Sequence, residues 1–303
     1  MKRFLYRLFL FLSPLIFGFL GFILVNIHYV AAPKISNSYS LNEKLYRAPH
    51  TPLDVLAIGS SMTQANLESE TLVHGLGDVS YFNFANWGFS IKDIRNFAGL
   101  VTELYRPSRV IIVSNVIDFR NAELEYDVSR IKKYLRSPFR PAWNLRYFDM
   151  KYLLERTMDN RENLRRTDIY SSLCFDSWGG VSYSTEDFKI RRHRWNNGVH
   201  FDLLDEQAYH DLEEVCRILQ EKSVQPVFVL SPLRDGLVDD HYRMAIQAHA
   251  ERVQKIIADA NGVFLDTTKF SWPDHLFVDG THLNQAGGRR LSQMLVERLK
   301  EAE

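Results

Sequence analysis

Five short β-rich apolar runs, each followed by a stretch of helical spacing, constrain this chain more than any other feature. The runs are Asp54–Ile58, Val79–Phe84, Arg109–Val113, Pro226–Leu230 and Val263–Leu265. Helices are expected over Leu67–His74, Ile91–Tyr105, Asp205–Lys222, Asp240–Ala260 and Asn284–Leu299. On the second of these, Ile91, Ile94, Phe97, Ala98 and Val101 fall on one side. Strands that alternate with helices imply a mostly parallel sheet covered on both faces. The expected fold class is α/β, a three-layer α/β/α sandwich with a mostly parallel, flavodoxin-like sheet, preceded by an N-terminal transmembrane helix. At 303 residues the chain can bury one large core, or a core with an insertion. Lys plus Arg and Asp plus Glu balance at 37 each, so no global charge points to nucleic acid.

The apolar excess sits at the N-terminus. From Leu8 to Ile27 only Ser13, Pro14, the glycines and Asn26 interrupt it, a length sufficient to cross a bilayer. Lys2, Arg3 and Arg7 precede it and place the N-terminus inside, with the remainder outside. A cleaved signal peptide is the competing reading, with Val30-Ala31-Ala32 as a loose cleavage site. The apolar core exceeds the usual signal length, however, and Pro33 would follow the cut. A buried core helix is the third reading.

The expected organisation is a cytoplasmic N-terminus and anchor over 1–30, a polar juxtamembrane stalk over 31–51, and a domain over 52–303 with an insertion at about 120–200. From Arg120 to His200 there are 16 Lys/Arg against 11 Asp/Glu. In that insertion, Lys132-Lys133-Tyr134 through Arg140 and Arg191-Arg192-His193-Arg194-Trp195 mix cations with aromatic rings. Such a surface suits an anionic glycan, stacked sugars or anionic lipid heads. It equally suits a solvated face whose long stems cover apolar surface.

Two loops carry candidate chemistry. Gly59-Ser60-Ser61 follows the first strand, where small residues let the chain turn sharply into a helix and present a hydroxyl. Asp279 precedes His282 by three residues before the last helix, the spacing of a carboxylate that orients an imidazole. The plainer readings are serines that cap a helix, a surface histidine, or a metal pair with Asp279. Cys174 and Cys216 could pair, but neither lies in a C-x-x-C pattern. His200, beside Asn196-Asn197-Gly198, is a further cleft candidate. Gly75-Leu76-Gly77 lacks the third glycine of a dinucleotide loop, and no phosphate loop is present, so no cofactor is expected.

Gly59-Ser60-Ser61, the stretch Asn83 to Gly88, Ser114-Asn115, and Asp279-Gly280-Thr281-His282-Leu283-Asn284-Gln285-Ala286-Gly287 together resemble the SGNH (GDSL-like) hydrolase superfamily over roughly 52–303. With Ser60 where that family usually has aspartate, the pattern looks like its membrane-anchored branch, which serves polysaccharide O-acetylation and teichoic acid D-alanylation. The resemblance implies Ser61 as nucleophile, His282 as base then acid, and Asp279 as its orienter. It implies an oxyanion hole from the Ser61 and Gly88 N–H groups and the Asn115 side chain. The usual Gly-x-Asn-Asp string is here Val113-Ser114-Asn115-Val116-Ile117-Asp118, which leaves Asp118 as an alternative to Asn115.

The implied function is an extracytoplasmic acyltransferase or esterase on O-acyl, chiefly acetyl, groups of a cell-surface glycan or small ester. Its implied place is a bacterial inner membrane, single-pass, beside a multi-pass acyl donor protein. A non-catalytic scaffold subunit of an envelope complex is the alternative.

Overall fold

The computed structural model describes residues 2–25, 33–122, 124–155, 158, 175–183, 195, 204–237 and 240–302. Five strands form one sheet: β1 (Val55–Ala57), β2 (Tyr81–Asn83), β3 (Arg109–Ser114), β4 (Gln225–Leu230) and β5 (Val263–Asp266). Their order is β2-β1-β3-β4-β5 and every pairing is parallel. This is the expected doubly wound α/β arrangement, in which the chain reverses its direction of travel between β1 and β3.

Alternation along the strands builds both cores. Because successive strand residues face opposite sides, Val110, Ile112 and Phe228 point into one apolar layer while Ile111, Val113, Val227 and Val229 point into the other. The first layer is closed by α5 (Ile91–Tyr105), α8 (Glu206–Gln220) and α9 (Asp240–Asp259). The second is closed by α3 (Ser61–Asn66), α4 (Ser69–Gly75) and α10 (Gln285–Glu301). Burying each such Val, Ile or Leu contributes roughly 1.5–3 kcal/mol. Helix α5 follows the sequence expectation residue for residue, and Ser90 with Asp93 closes a capping box at its start.

Two expectations differ from the structure. The helix expected over Leu67–His74 is α4, which starts two residues later because Leu67 is extended and the Glu68 carboxylate caps it by accepting from the Thr71 N–H, and a further short helix, α3, precedes it where none was delimited. The segment expected as a periodless stalk contains α2 (Tyr39–Arg47), whose Leu41 and Leu45 are buried in the main core with Ile35 and Ala48. Its polar residues Asn42, Glu43 and Lys44 are also buried, which is why the sequence reads as polar.

Helix α1 (Lys2–Val25) has an apolar stretch Lys2–Phe22 of 21 residues with mean hydropathy 1.8, none of it buried against the protein. At 1.5 Å per residue this spans about 31 Å, the thickness of a hydrocarbon core. Within the expected insertion, α6 (Val128–Arg136) and α7 (Arg140–Arg146) are helical, and α6 buries Ile131 and Tyr134.

Candidate active site

Ser61, Asp279 and His282 meet at the carboxyl edge of the sheet, beside the point where the strand order reverses. Gly59 makes the turn after β1 possible, since a Cβ there would run into the Thr63 hydroxyl. The Ser60 hydroxyl caps α3 by accepting from the Met62 N–H, which leaves Ser61 as the first residue of the helix. The Ser61 N–H is thus among the helix donors that have no intrahelical partner.

His282 lies in the loop before α10, and its Nε2 stands 2.9 Å from Ser61 Oγ. Its Nδ1 is 2.9 Å from Asp279 Oδ2. The same carboxylate accepts from the backbone N–H groups of Thr281 and His282 at 2.9 and 2.7 Å. Burial pushes Asp279 up, but the facing His282 and these hydrogen bonds outweigh it and hold the carboxyl below its ordinary value. With Asp279 ionised, Nδ1 carries the proton and Nε2 is the acceptor that faces the serine.

Three residues that the sequence did not single out hold this arrangement. Asn66, fully buried at the end of α3, accepts from the Leu283 N–H at 2.8 Å and donates to Thr281 O and Ser231 Oγ. It ties the serine's helix to the histidine's loop. Trp87 stacks on the His282 ring with centroids 5.3 Å apart and planes 14° from parallel. Lys44 of α2 donates from its buried ammonium to Asn83 O and Oδ1 at 3.0 and 3.3 Å, while Asn83 Nδ2 reaches Thr63 O of α3. Burial lowers the Lys44 amine well below its ordinary value, with Asp176 opposing. Two more hydrogen bonds run from the same segment, Ser38 to Asn86 and Ser40 to Gln64. In the sequence Asn66 and Lys44 sit among polar neighbours and Trp87 within the stretch Asn83 to Gly88, so none is marked by a local signal of its own.

Gly88 sits at φ +82° directly after Trp87. Asn115 uses its Oδ1 to cap its own turn, accepting from the Ile117 N–H, and points Nδ2 at Met62 Sδ, 3.4 Å away. Sulfur is a weak acceptor, so the amide keeps donor capacity beside the residue that follows Ser61. Asp118 lies behind the serine turn, where its Oδ2 accepts from Ser60 Oγ at 2.7 Å and Ser114 Oγ at 2.9 Å. Burial raises its carboxyl to about 6, against those hydrogen bonds.

Among the described residues no group of three His, Cys, Asp or Glu is placed to hold a metal ion. A cleft of about 610 Å³, with Arg243 and Lys269 on its walls, lies between α9 and the segment after β5 and includes none of Ser61, Asp279 and His282. Cys174, His200 and the run Arg191 to Arg194 lie outside the described residues. Cys216 is buried on α8, and burial raises its thiol to about 12.

The geometry defines an α/β sheet with serine, histidine and aspartate side chains hydrogen-bonded in line at its carboxyl edge. No family model and no curated protein matches the chain in sequence. Among solved structures it is similar to a catalytic mutant of an acetylxylan esterase from Geobacillus stearothermophilus. That match has 11% identity and a TM-score of 0.47, and covers 83% of this chain and 95% of the other. Another mutant, described as an acetyl-xylooligosaccharide esterase, matches at 13% identity and a TM-score of 0.40 over 81% and 93%.

Proposed function

We propose that this chain is a membrane-anchored, serine-dependent acyl-ester hydrolase or acyltransferase of the SGNH kind. Its substrates would be O-acyl, chiefly acetyl, groups of an exported glycan or small ester. The unbroken line of hydrogen bonds from Asp279 through His282 to Ser61 carries this reading. Ser61 Oγ attacks the acyl carbonyl carbon and gives its proton to His282 Nε2, while Asp279 supports the imidazolium. Negative charge gathers on the carbonyl oxygen, and the Ser61 N–H, Gly88 N–H and Asn115 Nδ2 are the donors assigned to it. As the tetrahedral centre collapses, the C–O bond to the leaving alcohol breaks and His282 returns the proton to that oxygen. Water or an acceptor hydroxyl, deprotonated by His282, then attacks the acyl carbon, the bond from that carbon to Ser61 Oγ breaks, and His282 returns the proton to Oγ.

Esterase and transferase share these residues and differ in which hydroxyl reaches the acyl-enzyme. The test uses the full chain in detergent: p-nitrophenyl acetate turnover and fluorophosphonate labelling, with Ser61→Ala and His282→Ala beside wild type. Turnover and labelling should both vanish in the two variants, with turnover down about 10⁴-fold or more. Absence of labelling in well-folded wild type would favour a non-catalytic scaffold.

A further inference from the structure

The segment 128–155 is basic and apolar at once. Between 128 and 155 the chain has seven Lys/Arg against two Asp/Glu. This stretch exposes Phe139 (64%), Phe148, Met150 and Leu154 to solvent, with exposed Lys133, Arg146 and Lys151 among them. Lys132 and Arg136 are partly neutralised by Glu103. Stacked rings brace the patch. Trp143 lies on Tyr147 at 5.6 Å, and the Arg130 and Arg146 guanidiniums sit over the Tyr147 ring at 5.5 and 5.7 Å.

The chain enters the domain at this same place. The Lys34 N–H donates to Tyr147 O, and its ammonium pairs with Asp149 at 3.1 Å. Only eight residue steps separate Val25, the end of α1, from Pro33. At full extension they reach roughly 30 Å. With α1 in a bilayer, the patch is therefore tethered close to that bilayer's surface. Apolar rings flanked by Lys and Arg suit the boundary of an anionic bilayer, where rings enter the headgroup region and cations meet phosphate.

We propose that this face docks on the surface of the anionic phospholipid bilayer that α1 enters. The inference rests on reading α1 as an anchor. It also locates the site. Ser38, four residues beyond Lys34, bonds Asn86 in the loop that carries Trp87, so the chain from patch to loop spans at most about 14 Å. Docking holds the mouth around Ser61 near the bilayer, within reach of an acyl donor carried in the membrane.

The test reconstitutes the full chain, one copy per nanodisc, in phosphatidylcholine with or without phosphatidylglycerol. An environment-sensitive fluorophore is attached through Phe139→Cys or Phe148→Cys, with Glu297→Cys on α10 as control, all in a Cys174→Ser background. Phe139, Phe148 and Glu297 are exposed, and Cys216 is buried from the reagent. Blue-shifted emission quenched by doxyl lipids is expected at 139 and 148 but not at 297. It should strengthen with phosphatidylglycerol and be lost when Lys133, Arg146 and Lys151 are changed to Glu. Water-like emission at 139 and 148 in phosphatidylglycerol discs overturns the proposal. So does a shift that needs a second copy or an added protein. If mass spectrometry shows α1 removed in cells, the anchor reading falls, and the processed chain is sedimented with phosphatidylglycerol vesicles. Retention that the charge reversals abolish keeps the docking face; no retention overturns it.

Discussion

Asp118 is a carboxylate buried directly behind a serine turn, and its ionisation should be visible in stability. Its folded-state value of about 6 lies above the ordinary 3.8 because of burial. A carboxyl raised in this way binds its proton more tightly folded than unfolded. Its contribution is fully present below about pH 4 and is lost as pH rises through about 6. Urea unfolding of wild type against Asp118→Asn isolates this group, since other titrations cancel in the difference. From pH 8 to pH 4 the balance should move toward wild type by on the order of 3 kcal/mol. Asp279 has the opposite sign, because its lowered carboxyl stabilises above about pH 4 and that support fades as pH falls through the folded value. Trp87 covers the His282 ring, so Trp87→Ala should lower p-nitrophenyl acetate kcat about tenfold, and Trp87→Phe should keep most of it by preserving a stacked ring. Ser61, Asp279 and His282 could be singled out from the sequence because the stretches around them together resemble the motifs of a known family. Asn66 could not, because its partners are 165 to 217 residues away.

At the scale of elements, α2 is the lesson. Hydrogen bonds from it and its N-cap Ser38 reach Asn83 at the end of β2, Asn86 beyond it and Gln64 on α3, the two segments that frame the serine. A chain that begins at residue 52 loses this brace together with Leu41 and Leu45, and it is expected to be insoluble or inactive where a chain beginning at 33 keeps turnover. Lys44→Met separates positioning from stability. Replacing a buried charge by an apolar chain of similar length is often neutral or stabilising, so the thermal midpoint should stay within a few degrees. Exchange of the amides over 83–88 should quicken, and turnover should fall about tenfold. Helix α5 was legible because an amphipathic stripe is a local signal. Helix α2 was not, since its buried face is built from Asn42, Glu43 and Lys44, residues that ordinarily mark solvent.

For the whole molecule, the proposed function joins the apolar helix and the sheet edge that carries Ser61 in one device if α1 remains in place. The full chain is expected in the membrane pellet after alkaline carbonate washing, with the domain open to added protease only from the face opposite the basic N-terminus. Recovery of the chain in the soluble fraction with a new N-terminus near residue 33 would instead mark α1 as a leader.

Periodicity of two along the strands and of 3.6 along the helices is a property of neighbouring residues. The α/β class, the five strands and the candidate loops were therefore determined by the sequence alone. Strand order and the facing of loops depend on how those elements pack, which no window of neighbours records. Ser61 and His282 are 221 residues apart. Only the folded sheet, with β1 beside β3 and the last helix closing its second face, brings the hydroxyl to the imidazole. The tertiary structure alone decided that a buried lysine on α2 would brace the loop beside them.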